Sequence, residues 1–440
     1  MFRYYLKLGV LSIRANPALS ALMVAAIAIG IGACMSIVTV QHMMGGNPIP
    51  HKSEQLRHVQ LDSWSDVNPY NDGASPPIQL TFLDATGLLR DAEAPRQAAM
   101  FKSDRIIEPD GDDELPFGAS ARATSGDFFP MFDVPFKYGA GWDQSADLGE
   151  EKVAVISEPL NEQLFGGADS TDQLLKMNGD VFRIVGVMDE WSPVVKFFDL
   201  NNNPHEQVED VYFPFSTAIA NDYDNNGNTN CWKPPEGDGG RDSFLNSECI
   251  WIQYWVEIPD SETEAAYLNY LDAYVEEQKL LGRFPRPLDN RIPNVDEWMI
   301  LNEVVDDDVS VLLGLAILFL IVCLLNTIGL LLAKVMRRAK DISLRRALGA
   351  SKATLFSQYI IEAGMIGIAG GLLGIGTTWL GLLGIRNLFS RFEFVQKLTT
   401  MDWSMVGLAI LLSVVSALAA ALYPTWRACQ VTPASQLRIQ

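Results

Sequence analysis

Residues Val309–Ala333 read VSVLLGLAILFLIVCLLNTIGLLLA, 25 residues without an acid or a base, and Lys334–Ser351 follow at once as KVMRRAKDISLRRALGAS. The first stretch exceeds the ~20 residues that a helix needs to cross a ~30 Å hydrocarbon core. In hydrocarbon every backbone amide must find an internal partner, so helix is the expected state. The second stretch is cationic, with Lys334, Arg337, Arg338, Lys340, Arg345 and Arg346 against Asp341 alone. Lys and Arg concentrate at the cytoplasmic ends of membrane helices, so this junction also sets an orientation.

Three further runs have the same character: Ala18–Val40, Tyr359–Leu388 and Trp403–Leu422. Residues 1–17 hold Arg3, Lys7 and Arg14 and no acid, and residues 423–440 hold Arg427 and Arg438 and no acid. Both termini and segment 334–358 are therefore expected in the cytoplasm, with 41–308 and a short loop 389–402 on the other side. Residues 1–17 form an amphipathic helix in this reading, with Phe2, Tyr5 and Leu6 against the inner leaflet. The expected fold is an α-helical membrane protein with four transmembrane helices (18–40, 309–333, 359–388, 403–422). A large α+β extracytoplasmic domain is inserted between the first and second.

The inserted block 41–308 carries 50 Asp or Glu against 18 Lys or Arg, a net of −32, while the whole chain stands at −21. Nucleic acid is disfavoured as a partner, because phosphate binding needs a basic face. A solvated surface explains the charge; attraction of basic partners is the sharper alternative. Cys231 and Cys249 are the two cysteines of this block. In an oxidising compartment they are the disulfide candidates, closing a loop worth ~3 kcal/mol in the chain-entropy picture. Ile31-Gly32-Ala33-Cys34 resembles a lipoprotein cleavage box, but the apolar run continues to Val40, so a spanning helix is expected. His42, His51, His58 and His205 form no nucleophile–base pattern, which argues against a tethered enzyme.

Within the block, Gln55–Trp64, Lys152–Ser157, Val181–Met188 and Cys249–Ile258 have strand composition. Ile78–Arg90, Glu158–Phe165 and Ser261–Leu281 read as helices. Residues 190–248, with Asn201-Asn202-Asn203 and Pro234-Pro235, read as a loop-rich insertion or second lobe. Inside it Asp222, Asp224 and Asn226, followed by Gly227, copy the opening of a calcium loop, but Lys233 stands where a bidentate Glu belongs. A polar turn is the favoured reading, and no other metal site is expected. Asp306-Asp307-Asp308 precede the second span, where acids suit a helix start.

In the third span, Gly367/Gly371 and Gly370/Gly374 have the spacing that lets helices approach closely. Asn326 lies deep in the second span, where an unpaired amide is costly, so a bond to a neighbouring helix is expected. Glu362 lies one turn into the third span, within reach of Arg345 or Arg346.

Two basic motifs carry a family resemblance. The first is Asn326-Thr-Ile-Gly-Leu-Leu-Leu-Ala-Lys-Val-Met-Arg-Arg-Ala-Lys-Asp-Ile-Ser-Leu-Arg-Arg-Ala-Leu-Gly-Ala-Ser351; the second is Tyr423-Pro-Thr-Trp-Arg-Ala-Cys-Gln-Val-Thr-Pro433 with Leu437-Arg438. The inserted block adds Ser125-Gly-Asp-Phe-Phe-Pro-Met-Phe132, Val153-Ala-Val-Ile-Ser-Glu158 and Phe182-Arg-Ile-Val-Gly-Val187. Together they resemble the MacB/FtsX family of ABC transporter permeases, over most of the chain except about 190–248. Asp341 stands where the family usually has Glu, and Ser343 where it often has Gly.

The resemblance implies a non-catalytic subunit of an inner-membrane complex. The chain contains no Gly-x-x-x-x-Gly-Lys-[Ser/Thr] loop, so ATP and Mg would be bound by a separate ABC ATPase. That ATPase would dock on Arg337, Arg338, Asp341, Ile342, Leu344, Arg345, Arg346, Leu348 and Gly349. Two permease chains, identical or related, would pair in the membrane lipid. Closing of the ATPases would move the periplasmic domains and drive efflux or export, with a periplasmic adaptor and an outer-membrane duct as possible partners. Two alternatives stay open: an FtsX-like regulator of a cell-wall hydrolase and a lipoprotein-extraction permease.

Overall fold

Pro17 lacks a backbone N–H and suits the first turn of a helix. It splits the start of the chain into α1 (Phe2–Ala15) and α2 (Pro17–Met44). The structure, a computed structural model, describes residues 2–44, 46–109, 115–237, 239–304, 307–388 and 403–430. It divides into two units, Met1–Gly46 with Val305–Gln440, and Asn47–Val304. The expected outer loop 389–402, the motif residues after position 430 and Asp306 lie outside the described residues.

The inserted unit is built on one mixed sheet in the order β1-β11-β3-β4-β9-β6-β8-β5. Its strands are β1 (Leu56–His58), β3 (Arg96–Ile107), β4 (Phe117–Thr124), β5 (Phe136–Gly139), β6 (Val153–Ile156), β8 (Asp180–Met188), β9 (Val211–Pro214) and β11 (Cys249–Glu257). Short strands β2 (Leu80–Thr81) and β10 (Asn230–Cys231) pair with β11, and β7 (Leu174–Met177) with β3 and β8. Most neighbours are antiparallel, while β4–β9 and β6–β8 run parallel. Of the expected strands, Gln55–Trp64 shortens to β1, and the other three match β6, β8 and β11 closely.

Side chains alternate across a strand with period two, and both faces of this sheet are buried. On β3, Ala99 and Phe101 enter one core and Ala98 and Met100 the other; on β9, Val211 and Phe213 oppose Tyr212. The first core is roofed by α3 (Phe82–Asp91) and α9 (Ser261–Leu280). Thr81 caps α3 by accepting from Asp84 N–H, and Asp260 caps α9 by accepting from Thr263 N–H. The second core is aromatic, holding Phe128, Phe129, Phe132, Phe197, Phe198, Tyr212, Trp255 and Trp298.

Segment 190–248 is not a separate lobe. It supplies β9, which pairs with β4 on one side and β6 on the other. Residues before β9 are pinned by buried charge. Arg122 on β4 donates to Asp199 and, at 2.6 Å, to Glu209, while Lys196 donates to Glu209 at 3.0 Å. All four side chains are buried.

His58 on β1 is fully buried, stacked on Trp298 at 3.7 Å between ring centroids and edge-on to Trp255 at 5.1 Å. Among the described residues neither ring nitrogen has a hydrogen-bond partner, and burial pushes the pKa down to about 3. An unfolded His titrates near 6.5, so the unfolded chain takes up a proton that the folded one refuses. The contribution of His58 to stability is therefore complete above pH 6.5 and is lost as pH falls from there towards 3. At pH 5 the loss is ~2 kcal/mol. His58→Phe is expected to flatten the fall in thermal midpoint of the detergent-solubilised full chain between pH 7.5 and 5. Equal slopes for the two proteins would remove His58 as the source.

The second unit is helical. It adds α11 (Asp307–Arg337), α12 (Ala339–Ala347), α13 (Lys352–Leu388) and α14 (Trp403–Cys429) to α1 and α2. The short helices α4 (Phe128–Met131), α5 (Gln144–Leu148), α6 (Glu158–Phe165), α7 (Phe215–Ala220), α8 (Arg241–Leu245) and α10 (Val295–Leu301) complete the inserted unit. Among the described residues, four helices are long and apolar enough to span a bilayer, within Pro17–Gln41, Val311–Arg337, Lys352–Asn387 and Ser404–Arg427. α13 starts seven residues before the expected span, so the basic segment is made by the end of α11, α12 and the first turns of α13.

Candidate functional site

The cationic segment folds back on the end of the bundle. Ile342 is buried beside Val335, Leu355 and Cys429, so it anchors α12 rather than lining an outer face. Leu344 (56% exposed) and Leu348 (81%) stand out in water, as do Arg337, Asp341 and Arg345. The expected docking set thus divides into an anchor and an exposed apolar–cationic patch. Gly349 adopts φ +100°, a left-handed conformation that ends the helix with little strain. Its N–H donates to Arg346 O, and the Ala350 N–H donates to Arg345 O. Ser351 then caps α13 by accepting from the Thr354 N–H at 3.1 Å.

Side-chain bonds fix this patch to the bundle. Arg345 donates to Gln358 Oε1 at 3.2 Å, and Arg346 to Cys429 O at 3.4 Å. Arg338 donates to Ser12 Oγ at 2.6 Å, which holds α1 against the junction of α11 and α12. Glu362 pairs not with Arg345 or Arg346 but with Lys334, and both side chains are 2% exposed. Lys334 also donates to Ser20 Oγ of α2 at 3.0 Å. The guanidinium groups lie farther along the chain on α12 and find partners there, whereas Lys334 is still in the last turns of α11.

The two glycine pairs of α13 serve two neighbours. A Cβ on Gly367 would sit 2.8 Å from Ala417 Cβ, and one on Gly371 3.1 Å from Ser413 Cβ, both on α14. A Cβ on Gly370 would meet Ile27 at 2.7 Å, and one on Gly374 Ile31 at 3.0 Å, both on α2. Backbone contact follows: Ser413 donates to Gly367 O, and Thr377 donates to Ala28 O at 2.8 Å. Asn326 departs from expectation. Its side chain is exposed and makes no hydrogen bond to the other described residues.

Two family models match this architecture. One, described as the MacB-like periplasmic core domain, matches residues 20–274; the other, described as the FtsX-like permease C-terminal, matches residues 313–433. The first alone covers more than half of the chain. The chain belongs to the MacB/FtsX family of ABC transporter permeases.

Relatives of this MacB/FtsX permease include the macrolide export ATP-binding/permease protein MacB of Chlorobaculum tepidum. It is 28% identical over 301 residues, which are 68% of this chain and 40% of that protein. The uncharacterized ABC transporter permease YknZ of Bacillus subtilis is 19% identical over 99% of this chain and 98% of its own. The chain spans about half or less of the MacB proteins it matches. Among solved structures, the periplasmic region of MacB from Actinobacillus actinomycetemcomitans is similar at 17% identity and a TM-score of 0.36. The match covers 59% of this chain and 96% of that one.

The core-domain match of this MacB/FtsX permease runs through segment 190–248, in keeping with β9 being part of its sheet. A disulfide joins Cys231 of β10 to Cys249 of β11. The calcium-like stretch is spent on protein contacts. Asn226 donates to Asp104 Oδ2 at 2.6 Å, Asp224 O accepts from Ser103, and Asp222 lies 3.9 Å from Arg241. Among the described residues no group of three or more His, Cys, Asp or Glu is placed to hold a metal ion.

Proposed function

We propose that this chain is a mechanical subunit of an ATP-driven exporter. ATP and Mg are bound and hydrolysed by an ABC ATPase supplied outside these 440 residues, and the chain itself carries out no catalysis. The ATPase docks on the exposed patch Leu344, Arg345 and Leu348, with Arg337, Arg338, Asp341, Arg346 and Gly349 around it. Helices α2 and α11 relay the movement to the inserted domain, which pushes material outward through a periplasmic adaptor and an outer-membrane duct. The bundle sits in a bacterial inner membrane as a pair of permease chains, with both termini cytoplasmic and the acidic domain periplasmic.

The observation that carries this reading is the division of α12. A helix anchored by buried Ile342 presents two exposed leucines flanked by cations, which is how an amphipathic helix engages a groove. Leu348→Asp is expected to leave membrane insertion intact and to reduce recovery of the ATPase with the tagged full chain at least tenfold. Normal recovery, with the ATPase identified by mass, would reject the docking assignment. The same purification separates the rivals: an adaptor in the complex supports export, whereas a cell-wall hydrolase supports regulation.

A further inference from the structure

A recess of about 930 Å³ lies in the inserted unit, apart from the helical patch described above. Sites for small molecules have volumes of about 300–1,000 Å³ and combine apolar walls with a few placed polar groups. One wall here is aromatic. Phe129 meets Trp142 and Phe136 edge-on, at 4.8 and 5.4 Å between ring centroids. Three carboxylates line the same recess: Asp127 at the start of α4, and Asp143 and Asp147 at the start and near the end of α5.

Hydrogen bonds hold these carboxylates in place. Asp147 accepts from Gly126 N–H at 2.7 Å and from Trp142 Nε1–H at 2.9 Å. Asp127 accepts from Gln97 N–H at 3.0 Å, and Asp143 from Ala146 N–H at 3.2 Å. None of the three forms an ion pair with another described residue, whereas Asp133 at the same recess pairs with Lys52. Burial raises the Asp147 pKa to about 6 and raises that of Asp127 as well, the mark of carboxylates short of a counter-charge.

The chemistry of the lining selects its complement. A metal ion does not suit it, since among the described residues no three His, Cys, Asp or Glu are placed to hold one. The negative charges sit on two separate elements, so the complement must carry positive charges apart from one another. An ammonium group is attracted to carboxylates and to aromatic faces alike, and a methylene stem packs against apolar surface. A single ammonium would leave two carboxylates without a counter-charge. A flexible chain of two or three ammonium groups joined by methylenes meets all of these demands. We infer that this recess binds an aliphatic polyamine, with its ammonium groups on Asp127, Asp143 and Asp147 and its methylenes along Phe129, Phe136 and Trp142. The inference goes beyond the export reading and does not depend on it, because the site lies wholly within the inserted unit.

Calorimetric titration of the full chain in detergent with spermidine tests this, at about 0.15 M salt to screen the acidic surface. Saturable binding of one spermidine per chain is expected. Asn keeps an acceptor oxygen for the backbone N–H and removes the charge. Asp127→Asn and Asp143→Asn are therefore each expected to weaken binding roughly tenfold while the thermal midpoint is kept. Asp66→Asn makes the same charge change at an exposed acid outside the recess and is expected to leave binding as it was. Butylamine, with one ammonium, and magnesium ion are expected to bind at least tenfold more weakly than spermidine. Absent or unsaturable spermidine binding would overturn the site, as would equal weakening by Asp66→Asn. Butylamine or magnesium binding as tightly as spermidine would overturn the polyamine assignment. So would a trilysine peptide that binds at least tenfold tighter than spermidine, which would point to a basic segment of another polypeptide.

Discussion

Replacing Arg122 with Met is expected to destabilise the inserted domain by about 3–5 kcal/mol, the range seen when one partner of a buried ion pair is removed. Arg122 and Lys196 balance Asp199 and Glu209, and none of the four is reached by solvent. The variant keeps both carboxylates and one cation, so a net negative charge is stranded beside Phe198 and Tyr212. Burial alone would raise the Glu209 pKa; Arg122 and Lys196 outweigh it and hold the carboxyl far below the usual range. A depressed carboxylate contributes stability above its unfolded pKa, near 4.3, and that contribution fades as the folded group protonates. Without Arg122 the depression shrinks, so the gap between wild type and variant should be widest near pH 7 and should narrow below about pH 4.3. Thermal unfolding of the full chain in detergent, followed by tryptophan emission, measures this. Arg122→Lys keeps the charge but loses the fork, and is expected to fall between the two. A loss under about 1 kcal/mol at pH 7 would show that the network relaxes without its arginine.

That network also marks the boundary of what could be read from the chain alone. Arg122 meets partners 77 and 87 residues away, and no local pattern announces such a pairing. The spans were legible because hydrocarbon demands long uninterrupted apolarity, and the cationic junctions stood out for the same reason. Strand β3 was not, since Gln97–Phe101 is buried on both faces and uses Ala98 and Ala99 where larger alternating residues would have signalled a strand. Segment 190–248 looked like a separate lobe because its glycines, asparagines and prolines surround a four-residue strand whose partners come from elsewhere. The glycine pairs were legible as packing sites. Their division between α14 and α2 was not: Gly367 and Gly374, seven residues apart, lie on nearly the same side of the helix, yet one meets α14 and the other α2. Ile342 was placed with Leu344 and Leu348 in the docking set, yet only the fold shows that it turns inward.

Lys334 and Glu362 give the second large effect, and here the order of the variants is the test. Lys334→Met leaves the Glu362 carboxylate in the bundle with its cation gone, a loss expected near 3–5 kcal/mol. Glu362→Gln should be milder. Lys334 lies three residues from the end of α11, and its flexible stem can carry the ammonium towards water while Ser20 still accepts one of its protons. Lys334→Met with Glu362→Gln strands no charge, and most of the loss should be recovered, because a buried pair contributes little net stability over a well-packed neutral replacement. The readout is the fraction of full-length chain that stays monodisperse in detergent after graded heating. A double variant as unstable as Lys334→Met would mean that the lysine acts through packing and not through its charge. The double variant carries a further consequence, since the pair joins the last turns of α11 to α13 beside the Arg338–Ser12 bond that holds α1. Under the proposed docking, a bundle that regains its stability but loses this directional tie should still bind an ATPase at α12 and respond to it less. Stability and ATPase-stimulated movement would then separate in one protein, which places the pair in transmission rather than in folding.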